Sequence, residues 1–139
     1  MVMSARERRT EDDVIPPDAR AVLRIDLDAL RANWRKLNEA SGRAECAAVI
    51  KAGAYGLGIE QICRALTEEG CRTFFVATLD EGRRIRCVQP GAVIYVLDGL
   101  LPGAAEYYSG FDLRPALSSL SEIREWAAYC RERRRRLSA

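Results

Sequence analysis

Apolar residues fall into two alternating rhythms, short unbroken runs and sets spaced by three and four, and the alternation begins near residue 20. Residues 22–27 alternate in the manner of a short strand. Leu27, Leu30, Trp34 and Leu37 then mark one face of a helix that Asp26 or Asp28 can cap, with Trp34 as core packing. Four apolar, partly β-branched runs follow, over 47–51, 73–79, 92–97 and 113–117, each read as a strand. Between them Ile59, Ile62, Cys63 and Leu66 line a helix stopped by Gly70, a second helix runs over 80–88 to Pro90-Gly91, and a weaker one covers 102–108. The last helix opens on Ser119-Leu120-Ser121-Glu122, a capping-box pattern, and sets Leu120, Ile123, Trp126, Ala127 and Cys130 on one side.

Four strand-helix units with nearly continuous apolar strands predict an α/β fold around a parallel sheet. Periodicity leaves a barrel and a doubly wound sheet equally open. Residues 1–19 are polar and charged and close on Pro16-Pro17, which predicts a disordered leader lacking the apolar core of a secretory signal.

Composition narrows the function classes. Basic residues number 22 and acidic ones 20, a net charge of +2 that is no nucleic-acid signature. Arg131 and 133–136 form a local basic run, expected to be a solvated helix end. Five cysteines (Cys46, Cys63, Cys71, Cys87, Cys130) make no Cys-x-x-Cys pair and there is no histidine, so neither a mixed zinc site nor a histidine-based nucleophile is expected. An odd cysteine count fits reduced, cytoplasmic thiols, and no apolar run approaches the ~20 residues of a membrane span.

The candidate chemistry sits where the 47–51 run ends. Lys51 closes an apolar strand and is followed by Gly53, Gly56 and Gly58, which let the backbone bend tightly, and by Tyr55, which supplies a hydroxyl. An unprotonated lysine amine can bond covalently to an aldehyde cofactor. Asp80-Glu81 is not a paired-carboxylate site, since neighbours on a helix point about 100° apart; helix-start electrostatics is its expected role. The glycine string is no dinucleotide fingerprint, because no helix opens in the required order.

Lys51-Ala52-Gly53-Ala54-Tyr55-Gly56-Leu57-Gly58 resembles the pyridoxal-phosphate attachment signature of the alanine racemase family, commonly Lys-Ala-x-Ala-Tyr-Gly-x-Gly. Upstream, Ile25-Asp26-Leu27-Asp28-Ala29-Leu30 with Asn33 is similar to the family's opening segment; downstream, Val76-Ala77-Thr78-Leu79-Asp80-Glu81-Gly82 is similar to its second barrel strand entering a helix. Gly53 and Leu57 depart from the usual residues at their positions. The likeness covers about 21–130. It implies a partial (β/α)8 TIM-type barrel over 20–139, about the first four strand-helix units, with Lys51 ending the first strand.

The resemblance also implies the chemistry: interconversion of L- and D-alanine by two-base proton transfer, supplying D-alanine to the cell wall, in a homodimer acting on a small amino acid, without nucleic acid or membrane. Lys51 would hold pyridoxal 5'-phosphate and act as the base on one substrate face, Tyr55 would reach the cofactor phosphate, and Val49 and Leu97 would wall its ring. The second base would be a tyrosine from the partner subunit's C-terminal domain. A barrel typically needs about 250 residues, so 139 residues read as an N-terminal fragment, expected to be inactive alone. Half a barrel should bare its inner face, with Val49, Phe75 and Val96 open to association. The alternatives are a broad-specificity amino-acid racemase, a related lysine-barrel decarboxylase, which would lack Ala-Tyr-Gly-x-Gly, and a non-catalytic pyridoxal-phosphate homeostasis barrel.

Overall fold

A computed structural model describes residues 18–139. The leader expected over 1–19 therefore lies almost wholly outside the described residues. The first element is helix α1, Leu27–Ala40, where the Asp26 carboxylate accepts the Ala29 amide at 2.8 Å and so caps the helix as its position predicts. Residues 21–26 form no strand. Val22 and Leu23 stand 56% and 74% exposed, with no neighbouring strand described there to complete a ladder, so alternation alone was a false signal.

Strand β1, Ala48–Val49, is followed by a short coil α2, Lys51–Tyr55, and helix α3, Ile59–Glu68. Then come β2, Thr73–Val76; α4, Leu79–Val88; β3, Val93–Val96; α5, Ala105–Gly110; β4, Arg114–Pro115; and α6, Leu120–Glu132. Each strand lies inside its predicted run but is shorter, because the run's end residues leave the ladder for turns. The α6 cap forms as expected, the Ser119 hydroxyl accepting the Glu122 amide at 3.2 Å. Its last turn closes through the amides of Arg134 and Arg135, which reach back to Arg131 and Cys130.

All four strands are parallel and lie in the order β1-β2-β3-β4. A doubly wound sheet reverses its order at a switch point; this one does not within its four strands, which matches one wall of a (β/α)8 barrel. The register aligns Val49, Phe75, Tyr95 and Arg114 in one row.

Alternation along the strands separates two environments. Ala48, Phe74 and Ile94, with Ile50, Val76 and Val96, are buried and join Ile59, Ile62, Cys63, Leu66, Ile85, Tyr108 and Trp126 in one core with the helices; Pro115, paired with Val96, is buried too. On the other face Val49 is 47% exposed and Phe75, Tyr95 and Arg114 are half-buried. Among the described residues no second layer covers the sheet on this side, in keeping with the bared inner face expected of half a barrel at Val49 and Phe75. Val96 is corrected: it is fully buried and belongs to the helix-covered face, one residue out of phase with Val49 and Phe75.

Trp34 is core, 8% exposed, and its indole N–H donates to the Cys46 carbonyl at 3.1 Å. Arg31 joins α1 to Glu68, and Arg35 to Glu69 at 2.8 Å. Arg84 pairs bidentately with Glu60 at 2.8 and 3.0 Å, tying α4 to α3. These are surface pairs of modest worth. Burial of the helices, not charge, holds the layer down.

Candidate functional site

Functional groups of a parallel barrel gather where its strands end, and here the C-terminal end of β1 has an unusual backbone. Ala52, Gly53 and Ala54 take φ/ψ of 52/47, 63/36 and 56/48, and Tyr55 continues at φ 55. These are left-handed helical angles. The segment after Lys51 is thus one left-handed turn, closed by the Ala54 amide on the Ile50 carbonyl at 2.9 Å, Gly56 on Ala52 at 3.0 Å and Gly58 on Gly53 at 2.9 Å. For L-residues this hand costs about 1–2 kcal/mol each, so Ala52, Ala54 and Tyr55 hold it against their own preference. Only Gly53 does so freely.

A side chain from the next strand-helix junction reaches into this turn. Glu81 lies in the first turn of α4 and is 9% exposed. Its Oε1 accepts the Gly53 amide at 2.9 Å, and its Oε2 accepts the Ala77 amide at 2.9 Å and that of Thr78 at 3.4 Å. Thr78 completes the cap, its hydroxyl accepting the Glu81 amide at 3.3 Å. Asp80-Glu81 was expected to serve helix-start electrostatics only; Glu81 does that and also binds the lysine turn. The signal was present as Thr78-x-x-Glu81, the spacing of a capping box.

Lys51 is the first residue of α2 and half-buried, two residues beyond the last paired residue of β1 rather than inside the strand. Val49 lies on the open face of β1. The Leu97 amide donates to the Val76 carbonyl at 2.9 Å, which extends the β2–β3 register by one step and sets Leu97 level with Ala77. Leu97 is 39% exposed. With strands spaced 4.7–4.9 Å apart, β1 and β3 flank β2 at roughly 10 Å across. Tyr55 ends the turn, 63% exposed. All four predicted residues therefore stand at one end of the sheet, Val49 and Leu97 on opposite sides of β2.

Level with Val49, the open face is not a plain apolar wall. Phe75 and Tyr95 stack at 5.0 Å between ring centroids, and the Arg114 guanidinium lies 5.4 Å from the Tyr95 ring while donating to its hydroxyl at 3.2 Å. Nothing in the sequence reading singled out Arg114. Strand register makes this row, and no local motif encodes it.

The thiols are chemically quiet where they are buried: burial pushes Cys63 and Cys71 up to about 11. Among the described residues no cluster of three or more His, Cys, Asp or Glu side chains could hold a metal, and no helix is long and apolar enough to cross a membrane.

The family model for the alanine racemase N-terminal domain matches residues 25–139. Over 119 residues the chain is 59% identical to the alanine racemase of Methylobacterium sp. (strain 4-46), covering 86% of this chain and 33% of that protein. It is 44% identical to the alanine racemase of Rhizobium meliloti (strain 1021), over 80% of this chain and 29% of the relative. Among solved structures, the Bartonella henselae alanine racemase with covalently bound pyridoxal phosphate superposes with a TM-score of 0.78 at 39% identity, covering 80% of this chain and 31% of that one. The biosynthetic alanine racemase of Pseudomonas aeruginosa gives 0.68 at 28% identity, over 75% and 29%. The chain thus spans about a third of the length of the relatives it matches.

Proposed function

This chain belongs to the alanine racemase N-terminal domain family, and from that premise we propose that it is the lysine-bearing part of a pyridoxal-phosphate-dependent alanine racemase. The observation that carries the reading is the placement of Lys51 at the head of a left-handed turn, at the strand-end face of a barrel wall. The residues fit such a cofactor. A Cβ built on Gly53 or Gly56 meets nothing within 4 Å, so the turn has open space beside it. Val49 and Leu97 offer partly open apolar walls, and the exposed Tyr55 supplies a hydroxyl free to take a phosphate oxygen.

When bound, pyridoxal phosphate supplies the electron sink that makes the α-proton of an amino acid removable. Lys51 holds the cofactor and its Nζ takes or returns the α-proton on one face. Tyr55 binds and orients the phosphate, and Val49 and Leu97 confine the ring and exclude water from it. Racemisation needs a second acid/base group on the opposite face, which in this reading comes from the partner subunit of a homodimer. Alanine is the substrate because the relatives are alanine racemases. The product would be D-alanine for peptidoglycan, made in the cytoplasm.

The chain has two lysines, Lys51 and Lys36, so covalent capture is easily mapped. Incubation with pyridoxal phosphate, borohydride reduction and peptide mapping should place one label on Lys51, and Lys51→Ala should lose it. A label found mainly on Lys36 would refute the reading.

A further inference from the structure

Helix capping does not explain everything Glu81 does. The cap of α4 needs the Thr78 hydroxyl and the junction amides of residues 77 and 78, all within four residues of Glu81. Oε1 is instead spent on Gly53, 28 residues away, across the gap between the ends of β1 and β2. Burying a carboxylate carries a desolvation cost that only such charge-assisted bonds offset. The Gly53 amide is two residues beyond Lys51, inside a turn whose three non-glycine residues resist its hand. Without an outside hold those residues relax toward right-handed or extended angles, and the lysine is carried with them.

We propose that Glu81 is a positioning residue for Lys51: by joining the Gly53 amide to the Ala77 amide, its carboxylate fixes the left-handed turn against the end of β2 and thereby sets where the lysine amine stands. The role rests on the reading of Lys51 as the cofactor-bearing residue. It requires an acceptor at both carboxylate oxygens. In Glu81→Gln one of them becomes an NH2 group that faces a backbone N–H, donor against donor, while size and most packing are kept.

The test uses the full 139-residue chain and two reagents with different geometric demands. Pyridoxal phosphate must be placed by its ring and phosphate contacts, whereas acetic anhydride needs only an accessible amine. In Glu81→Gln, capture of pyridoxal phosphate at Lys51 should slow by about tenfold or more, with the Lys51-to-Lys36 acetylation ratio unchanged. Thr78→Ala serves as the stability control. It removes the hydroxyl cap and lowers the melting temperature but keeps both carboxylate oxygens on their amides, so capture at Lys51 should hold. Should Glu81→Gln fail to fold, Glu81→Asp keeps the charge with a shorter reach and should show the same slowing.

A parent chain that labels Lys36 as readily as Lys51 refutes the cofactor reading, and the role of Glu81 with it, before any variant is compared. A parent preference for Lys51 that the Glu81 variant retains in full overturns the positioning role alone. Equal slowing in Thr78→Ala and Glu81→Gln overturns it too, since lost stability would then account for both.

Discussion

The turn after β1 and the loop after β3 are held by the same device with different redundancy. In each, a glutamate in the first turn of a helix caps that helix and reaches backbone beyond it. Glu81 takes Gly53, while Glu122 in α6 accepts the Ser118 amide at 2.9 Å and the Leu100 amide at 3.4 Å. The β3 loop has further anchors: the Tyr108 hydroxyl donates to the Gly99 carbonyl at 2.7 Å, and Glu125 accepts the Gly103 amide at 2.8 Å. Among the described residues, Glu81 is the side chain that bonds the backbone of the left-handed turn. A shared capping residue becomes a positioning residue where it is buried and unassisted. Where neighbours duplicate its hold, it remains a cap.

Removing each glutamate should separate the two cases most widely. Glu81→Ala leaves the part-buried Gly53 and Ala77 amides without their carboxylate partner and should cost roughly 1–3 kcal/mol, read as a fall in the melting midpoint. Glu122→Ala should cost visibly less. Equal losses would break the contrast.

Glycine substitutions probe the same pair from the backbone. Gly53 and Gly99 both take positive φ, +63 and +79, so alanine at either should cost about 1–2 kcal/mol from backbone strain. At Gly53 the new Cβ meets nothing within 4 Å, but at Gly99 it falls 2.6 Å from Glu122 Oε2. Gly99→Ala should therefore be the more destabilising of the two in denaturant titration. The reverse order would show that the β3 loop can shift without loss.

The smallest expected effect is on pH dependence. The Ser118 amide, helped by the Leu100 amide and the Ser119 hydroxyl, holds the Glu122 carboxyl below its ordinary value of 4.5. A carboxyl lowered in the folded state contributes stability above its ordinary value and loses that contribution as pH falls through the lowered one. Melting midpoints of Glu122→Gln should accordingly decline less than those of the parent on acidification below about pH 4.5. Parallel curves would remove Glu122 from the acid response.

Much of the layer structure was legible because it follows from periodicity. Phe74, Val76, Ile94 and Val96, with Ile59, Ile62 and Leu66, are both the apolar runs of the sequence and the core of the fold. Local pattern failed where pairing decides, as at residues 22–27, which alternate without a strand to pair with among the described residues. It also failed for Val96, whose facing is set by register rather than by hydrophobicity. At the candidate site the lysine and its glycines were visible, but the hand of the turn was not. Alanine and tyrosine have no preference for positive φ, so nothing in Ala52, Ala54 or Tyr55 announces it. The restraint that supports it comes from Glu81, a residue whose adjacent sequence advertises only a helix start.

That dependence has a consequence in time. A left-handed turn of mostly non-glycine residues does not form in the isolated segment, and the group that holds it arrives only when β2 and α4 have closed a 28-residue loop onto it. The surroundings of Lys51 are therefore among the last parts of the wall to assemble. In the folded chain they are among the first to open, and amide exchange should report the Gly53 N–H opening ahead of those in β2 and β3.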